Sequence, residues 1–202
     1  MRVATILAAS CAMLAAPAAL AAVGPKPPID DKVATARWIV ANTRWAFIAT
    51  IAHDRPGSPF NNVISTANIT MPSTGHQGVP VFYTSAMDAS SKDIAVNNNI
   101  SLGLSEAQLG LCGEDGSDDV PDPESPLCAR LVLSGRFMNV SSTDRDAAVT
   151  QLFTEHPEMK SWPTGHDWLV SYLQLDQIWL IDTFGGASIV PPEVYWAWKP
   201  SH

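Results

Sequence analysis

The chain has 202 residues, a formal net charge of −8 and 46% hydrophobic residues, with 16% charged. The acidity, and the lack of any run of Lys or Arg, exclude a nucleic-acid-binding protein, whose phosphate contacts demand clustered basic residues. The length suits one domain that buries a sizeable core without a dense disulfide scaffold.

Residues 1–22, MRVATILAASCAMLAAPAALAA, carry one basic residue, then an apolar run, then Ala19-Leu20-Ala21 as a small-residue cleavage pattern. This predicts a secretory signal peptide. A membrane anchor needs roughly 20 unbroken apolar residues, and Pro17 with the Ala-rich finish argues against one, so no membrane span is expected. The domain division is then a signal peptide over 1–22, a Pro-rich leader over 23–32 and a single domain over 33–198.

Asp30 or Asp31 can cap a helix running to about Asn42, with Val33, Ala36, Ile39 and Val40 roughly on one face. Trp45 to Ile51 reads as a buried strand, residues 53–59 as a Pro/Gly turn, and Asn61 to Ile69 as the returning strand. A loop from Pro72 leads to a strand over Val79–Thr84, a short helix over Ser90–Val96 and a strand beginning at Ile100. Leu127 to Val140 predicts a long strand bent at Ser134-Gly135. A helix opening near Thr143 must stop at Pro157.

The last quarter is the richest. Five of the seven tryptophans lie from Trp162 onward, and Trp168 to Ile181 has the aromatic and β-branched character of a strand. Phe184-Gly185-Gly186-Ala187 is a bend in which glycines permit positive φ. Tyr195, Trp196 and Trp198 are expected in the core or, partly exposed, against a partner. About six strands with three or four short helices predict an α+β antiparallel barrel.

Cys11 leaves with the signal, so Cys112 and Cys128 remain as an even pair in a chain bound for an oxidising compartment, and a disulfide is expected. It closes a loop of about 15 residues and contributes roughly 3 kcal/mol in the chain-entropy picture. The enclosed GEDGSDDVPDPESPL reads as a solvated loop, because its acids lack the ordered calcium-loop spacing. Asn68-Ile69-Thr70, Asn99-Ile100-Ser101 and Asn139-Val140-Ser141 are acceptor patterns for N-glycosylation. Together these features point to the endomembrane pathway and a secreted, lysosomal or vacuolar destination.

Phe82-Tyr83, Ser90-Ser91-Lys92, Asn97 to Leu102, Ser125-Pro126-Leu127-Cys128, Leu133-Ser134-Gly135, the run His156 to Pro163 (HPEMKSWP), His166-Asp167-Trp168 and Phe184-Gly185-Gly186 occur in an order and spacing that closely resembles the CREG family of secreted glycoproteins, over about residues 33–198. The resemblance implies an FMN-binding-type split β-barrel, similar in fold to pyridoxamine-phosphate oxidase, as a homodimer with flavin-like clefts at the subunit interface. It further implies a glycoprotein without flavin activity, secreted or delivered to lysosomes, and tied to growth control and differentiation through mannose-6-phosphate-type receptors. No cofactor is expected.

The competing function is an FMN-dependent oxidoreductase of the same fold. By resemblance to flavin-binding relatives, Lys92 would hold the FMN phosphate with Ser91 and Thr84 as neutral donors; the plainer roles are a solvated lysine and a capping serine. Against a flavin, the strand Asn61 to Asn68 has no Arg or Lys where those relatives place basic contacts. A haem- or flavin-scavenging role is a third reading, from the likeness of the Phe184 to Ala187 bend to that of haem-utilisation barrels. Glu155, Glu158 and His166 can be drawn as acid and base, but HPEMKSWP reads better as a helix end packed by Met159 and Trp162. His156 and His166 lack zinc-site spacing, and no metal site is expected.

Overall fold

The computed structural model describes residues 23–112 and 122–199. The signal peptide over 1–22 and most of the acidic stretch between the two cysteines lie outside the described residues. Helix α1 (Lys32–Asn42) is followed by strands β1 (Trp45–Ile51), β2 (Pro59–Ser65), β3 (Ala67–Thr70) and β4 (Gln77–Ser85), then by α2 (Ala89–Val96), β5 (Asn99–Ser105) and β6 (Arg130–Asn139). Helix α3 (Ser142–Glu155), β7 (Trp168–Ile181), β8 (Ser188–Val190) and α4 (Pro192–Ala197) complete the chain. Of the two candidate caps for α1, Asp31 takes the position, its Oδ1 accepting the Ala34 N–H at 2.9 Å.

All strand pairs are antiparallel, in the order β2-β1-β5-β6-β7-β4-β3, with β8 also on β7. The two ends of that order, β2 and β3, are separated in sequence by Thr66 alone. The sheet must therefore curl until its edges meet, which makes it a barrel. The strand expected over Asn61–Ile69 is thus two strands. Buried Thr66, whose N–H donates to Arg44 O at 2.9 Å, lets the chain leave one edge of the sheet and join the other.

Period-2 alternation of buried and exposed residues along β1, β5 and β6 sends one set of side chains into the barrel. Its interior holds Phe82 stacked on Phe137 at 5.3 Å, with Leu102, Leu133, Leu173 and Ile178 fully buried and Ile39 closing it from α1. A second core lies where Ala148 and Leu152 of α3 pack on Ile69, Val79, Val81 and Val170. The expected bend at Ser134-Gly135 is a register shift against β7, and a Cβ on Gly135 would lie 2.0 Å from Gln174 O. No other residue fits there without moving a backbone.

In the tail, Tyr195 takes the first of its two expected places, in the core. Tyr195 has no exposed surface, so it cannot be a partner contact. It anchors α4, its hydroxyl donating to Gly78 O at 3.1 Å, with the Arg37 guanidinium 5.0 Å from its ring centre. Burial pushes its phenol up to about 12, with Arg37 pulling the other way. Trp196 stacks on His76 at 4.7 Å. Among the described residues no helix is long and apolar enough to cross a membrane.

Candidate functional site

A cleft of about 260 Å³ opens where β2, the end of β4, the start of α2 and the residues leading into β7 converge. Ile48, Ile64 and Ile94 give it an apolar part. Its aromatic part is a cluster of three rings. Tyr83 lies nearly parallel to Trp168 at 4.8 Å, Trp162 sits 5.0 Å from Trp168 and 6.0 Å from Tyr83, and His166 stacks on the group through Trp168 at 5.7 Å.

The polar part is built by the N-terminus of α2. Asp88 is the helix cap, its Oδ1 accepting the Ser91 N–H at 3.2 Å, and its Oδ2 accepts from Asn62 Nδ2 at 3.3 Å. Asn62 Nδ2 also donates to Ser90 Oγ at 3.2 Å. The capping residue is therefore the aspartate and not a serine, as its extended φ and ψ just ahead of the first turn require.

Below this turn, Asp93 ties α2 to β1. Thr50 Oγ1 donates to its Oδ2 at 2.6 Å, the His53 N–H to its Oδ1 at 2.8 Å, and His53 Nδ1 lies 2.7 Å from the same oxygen. Burial alone would raise its pKa, but the hydrogen bonds from Thr50 and His53 outweigh it and hold the carboxyl below the ordinary value. This cluster fixes the tilt of α2, and with it the positions of Asp88, Ser90 and Ser91.

Two of the three residues assigned to an FMN phosphate, Thr84 and Ser91, line the cleft, whereas Lys92 is exposed and does not line it. The Thr84 hydroxyl is buried without a partner, so it is not open to a ligand as it stands. The Ser91 N–H already faces a carboxylate. Among the described residues no Lys, Arg or His lines the cleft, and the one acidic residue that does is Asp88. An FMN phosphate would meet negative charge where it needs positive charge, so this residue set does not fit the group.

Of the acid and base candidates, His166 borders the cleft through Trp168, whereas the two glutamates are paired elsewhere. Glu155 faces Arg44 at 3.7 Å, Glu158 faces His156 at 3.7 Å, and His156 Nε2 lies 3.0 Å from Thr66 O inside the protein. Among the described residues no group of three His, Cys, Asp or Glu side chains could hold a metal. Met159 is buried as expected, while Trp162 also forms part of the cleft wall. Gly185 and Gly186 both adopt positive φ, as the bend required. Cys112 and Cys128 are joined by a disulfide. Asn99 and Asn139 are exposed, whereas Asn68 is half-buried with its Nδ2 3.4 Å from Val40 O.

Sequence reasoning missed Asp88 and the aromatic wall. An aspartate just ahead of Ser90-Ser91 is a helix-start signal that could have found the first. The wall joins β4 to residues 162–168, a pairing made by the fold.

An antiparallel barrel closed by the continuity of β2 and β3, with a cleft at its open seam, defines a split-barrel protein. It is similar in structure to a haem-binding protein from Mycobacterium smegmatis, with a TM-score of 0.63 and 20% identity over 80% of this chain and 58% of that one. A second likeness is to protein Atu2129, of unknown function, from Agrobacterium tumefaciens str. C58, with a TM-score of 0.61 and 18% identity over 86% of this chain and 64% of that one. The chain covers less than two thirds of either solved chain, and both likenesses speak to the fold alone.

Sequence narrows the class to a family. The family described as "CREG, beta-barrel" matches residues 27–197. The chain is 38% identical to Protein CREG1 of Gallus gallus over 96% of its own length and 99% of that protein, and 37% identical to Protein CREG1 of Homo sapiens over 85% and 76%. The chain belongs to the CREG family.

Proposed function

We propose that this protein is a secreted or lysosomal (vacuolar) glycoprotein that acts as a homodimer by binding, without catalysis, in growth or differentiation control. The observation that carries the reading is the chemistry of the cleft: Asp88 occupies the anion position at the head of α2, and among the described residues no basic one lines the site. A redox enzyme of this fold must hold its flavin phosphate, and the cleft opposes one. Delivery through a mannose-6-phosphate-type receptor follows if glycans on the exposed Asn99 or Asn139 carry the phosphorylated mannose.

Dimerisation is supported by an apolar patch on the outer face of β1 and β2. Trp45, Phe47, Ile51 and Val63 are between 36% and 56% exposed, and Phe47 pairs with Val63 across the two strands. Val63 also lines the cleft, so a second subunit on this face would border the site. Sedimentation of the wild type and of Phe47→Glu tests this: a dimer that dissociates in the variant supports it, and a monomeric wild type contradicts it.

The FMN-dependent oxidoreductase is kept as the second reading because Ser91 lines the cleft, although the Thr84 hydroxyl there is closed to a ligand. Absorbance near 370 and 450 nm after adding FMN and desalting, the bands roughly expected of a bound flavin, separates the two. Retained stoichiometric flavin favours the enzyme, and a colourless protein favours binding without catalysis.

A further inference from the structure

We infer that the cleft is a site for a small organic cation carried on an apolar body, such as a quaternary or protonated amine. This deepens the binding function proposed above and rests on it. Three features of the cleft converge on this ligand class.

The first is charge. Among the described residues Asp88 is the one carboxylate in a lining that contains no Lys, Arg or His. Among the described residues it has no ion-pair partner, in contrast to Glu106 and Asp182, which each hold a lysine. A carboxylate has about four lone-pair sites, and the two long hydrogen bonds from Ser91 N and Asn62 Nδ2, at 3.2 and 3.3 Å, leave capacity for a ligand. The group is half-buried, where an unpaired charge is less well solvated than in bulk water and gains more from a counter-charge.

The second is the aromatic wall. Tyr83, Trp162 and Trp168 lie within 4.8 to 6.0 Å of one another. Tyr83 and Trp168 cover one face of each other and His166 stacks on Trp168, and the ring faces left uncovered, that of Trp162 among them, are negative and attract cations, Trp most strongly. Carboxylate and aromatic rings therefore favour the same sign of ligand, and both oppose an anion.

The third is shape and polarity. Ile48, Val63, Ile64, Ile94 and Phe137 give the lining an apolar side that suits a hydrocarbon or aryl body, and Ser65, Thr84, Ser85, Ser90 and Ser91 give it a neutral polar one. A cleft of about 260 Å³ lies just below the range of small-molecule pockets, roughly 300–1,000 Å³, which sets the ligand at about one ring with its ammonium group.

The test is a tryptophan-fluorescence titration of the full-length mature protein with benzyltrimethylammonium, with its neutral carbon isostere neopentylbenzene, and with FMN. The cation is expected to bind at least about tenfold more tightly than the isostere. Asp88→Asn removes the charge but keeps a good cap, and is expected to lose about tenfold for the cation with no change for the isostere. Equal affinity for cation and isostere, or no binding of either, overturns this inference alone. Stoichiometric uptake of FMN overturns it together with the proposed function. The comparison of probes on the wild type stands even if Asp88→Asn fails to fold.

Discussion

Asp88 and Ser91 are bound to each other across the first turn of α2: the aspartate Oδ1 accepts the serine N–H at 3.2 Å. The backbone donor that a phosphate would use in this position is therefore already paired with a negative group. Lys92, next in sequence, is exposed and does not line the cleft.

Lys92→Ala is accordingly expected to leave stability within about 0.5 kcal/mol of the wild type and to leave ligand binding in the cleft unchanged. Urea midpoints and the cation titration measure both. A Lys92→Ala protein that loses ligand affinity would place this lysine back in the site.

Acid sensitivity should come from two buried carboxylates. Asp93 accepts from Thr50 and His53, and Asp144 accepts from Ser141 Oγ at 2.7 Å and from Ser73 Oγ and N–H at 2.7 and 2.8 Å. Burial opposes ionisation in each, but the hydrogen bonds prevail and both pKa values lie below the ordinary value. A lowered folded-state pKa means that the stabilisation is complete above the unfolded-state pKa of about 4 and is lost as pH falls through the folded-state value. Unfolding free energy should thus fall on the acid side of about pH 4, and Asp93→Asn and Asp144→Asn should each flatten that fall while costing about 1–3 kcal/mol at neutral pH. An unchanged pH profile in both variants would count against the two clusters.

The buried Tyr195 offers a spectroscopic check. Its phenol, pushed up to about 12 by burial, should titrate at 295 nm well after the ordinary tyrosine range, and Tyr195→Phe should remove that late step. The variant loses the bond to Gly78 O and is expected to be about 1 kcal/mol less stable. A late step that survives in Tyr195→Phe would assign it to another tyrosine.

The leader is held on the barrel by charge. Lys26 Nζ lies 2.9 Å from Oε2 of Glu106, a side chain with no exposed surface that also accepts the Ala129 N–H at 2.9 Å. Lys26→Met strands that carboxylate and is expected to destabilise the fold by about 3–5 kcal/mol. Arg55→Met, which breaks an exposed pair with Asp54, should cost less than about 1 kcal/mol. Equal unfolding midpoints for the two variants would contradict a structural role for the leader.

Glycan mapping after expression in a eukaryotic host should find occupancy at Asn99 and Asn139 above that at Asn68. The first two are exposed, while the Asn68 amide is half-buried beside Val40 O, so attachment there must displace it. Higher occupancy at Asn68 than at the other two would show that the β3 edge is open during modification.

Much of the fold was legible because local signals agreed with it. The Asp31 cap, the Gly135 bend and the Pro157 stop are each written within a few residues of the feature they specify, whereas the strand Trp45–Ile51, read as buried, is buried on one face only, with Trp45, Phe47 and Ile51 exposed on the other. The break at Thr66 was not legible, because its cause is closure of the barrel, a relation between strands at opposite ends of the sheet. Strand β8 and helix α4 were missed for a similar reason: Ser188–Val190 pairs with β7 only once the Phe184 to Gly186 bend has turned the chain back. The burial of Tyr195 depends on Arg37 and Gly78, far away in sequence. At the cleft, Thr84 and Ser91 came from the resemblance, whereas the aromatic wall needs β4 and β7 side by side.

The central claim is that this split barrel binds without flavin chemistry, and the most direct measurement is the absorbance spectrum of the purified protein before and after incubation with FMN and desalting. A spectrum with no bands near 370 and 450 nm, as roughly judged against free flavin, in both samples is the expected result. Stoichiometric flavin retained after desalting would contradict it and make the protein a flavin-dependent oxidoreductase.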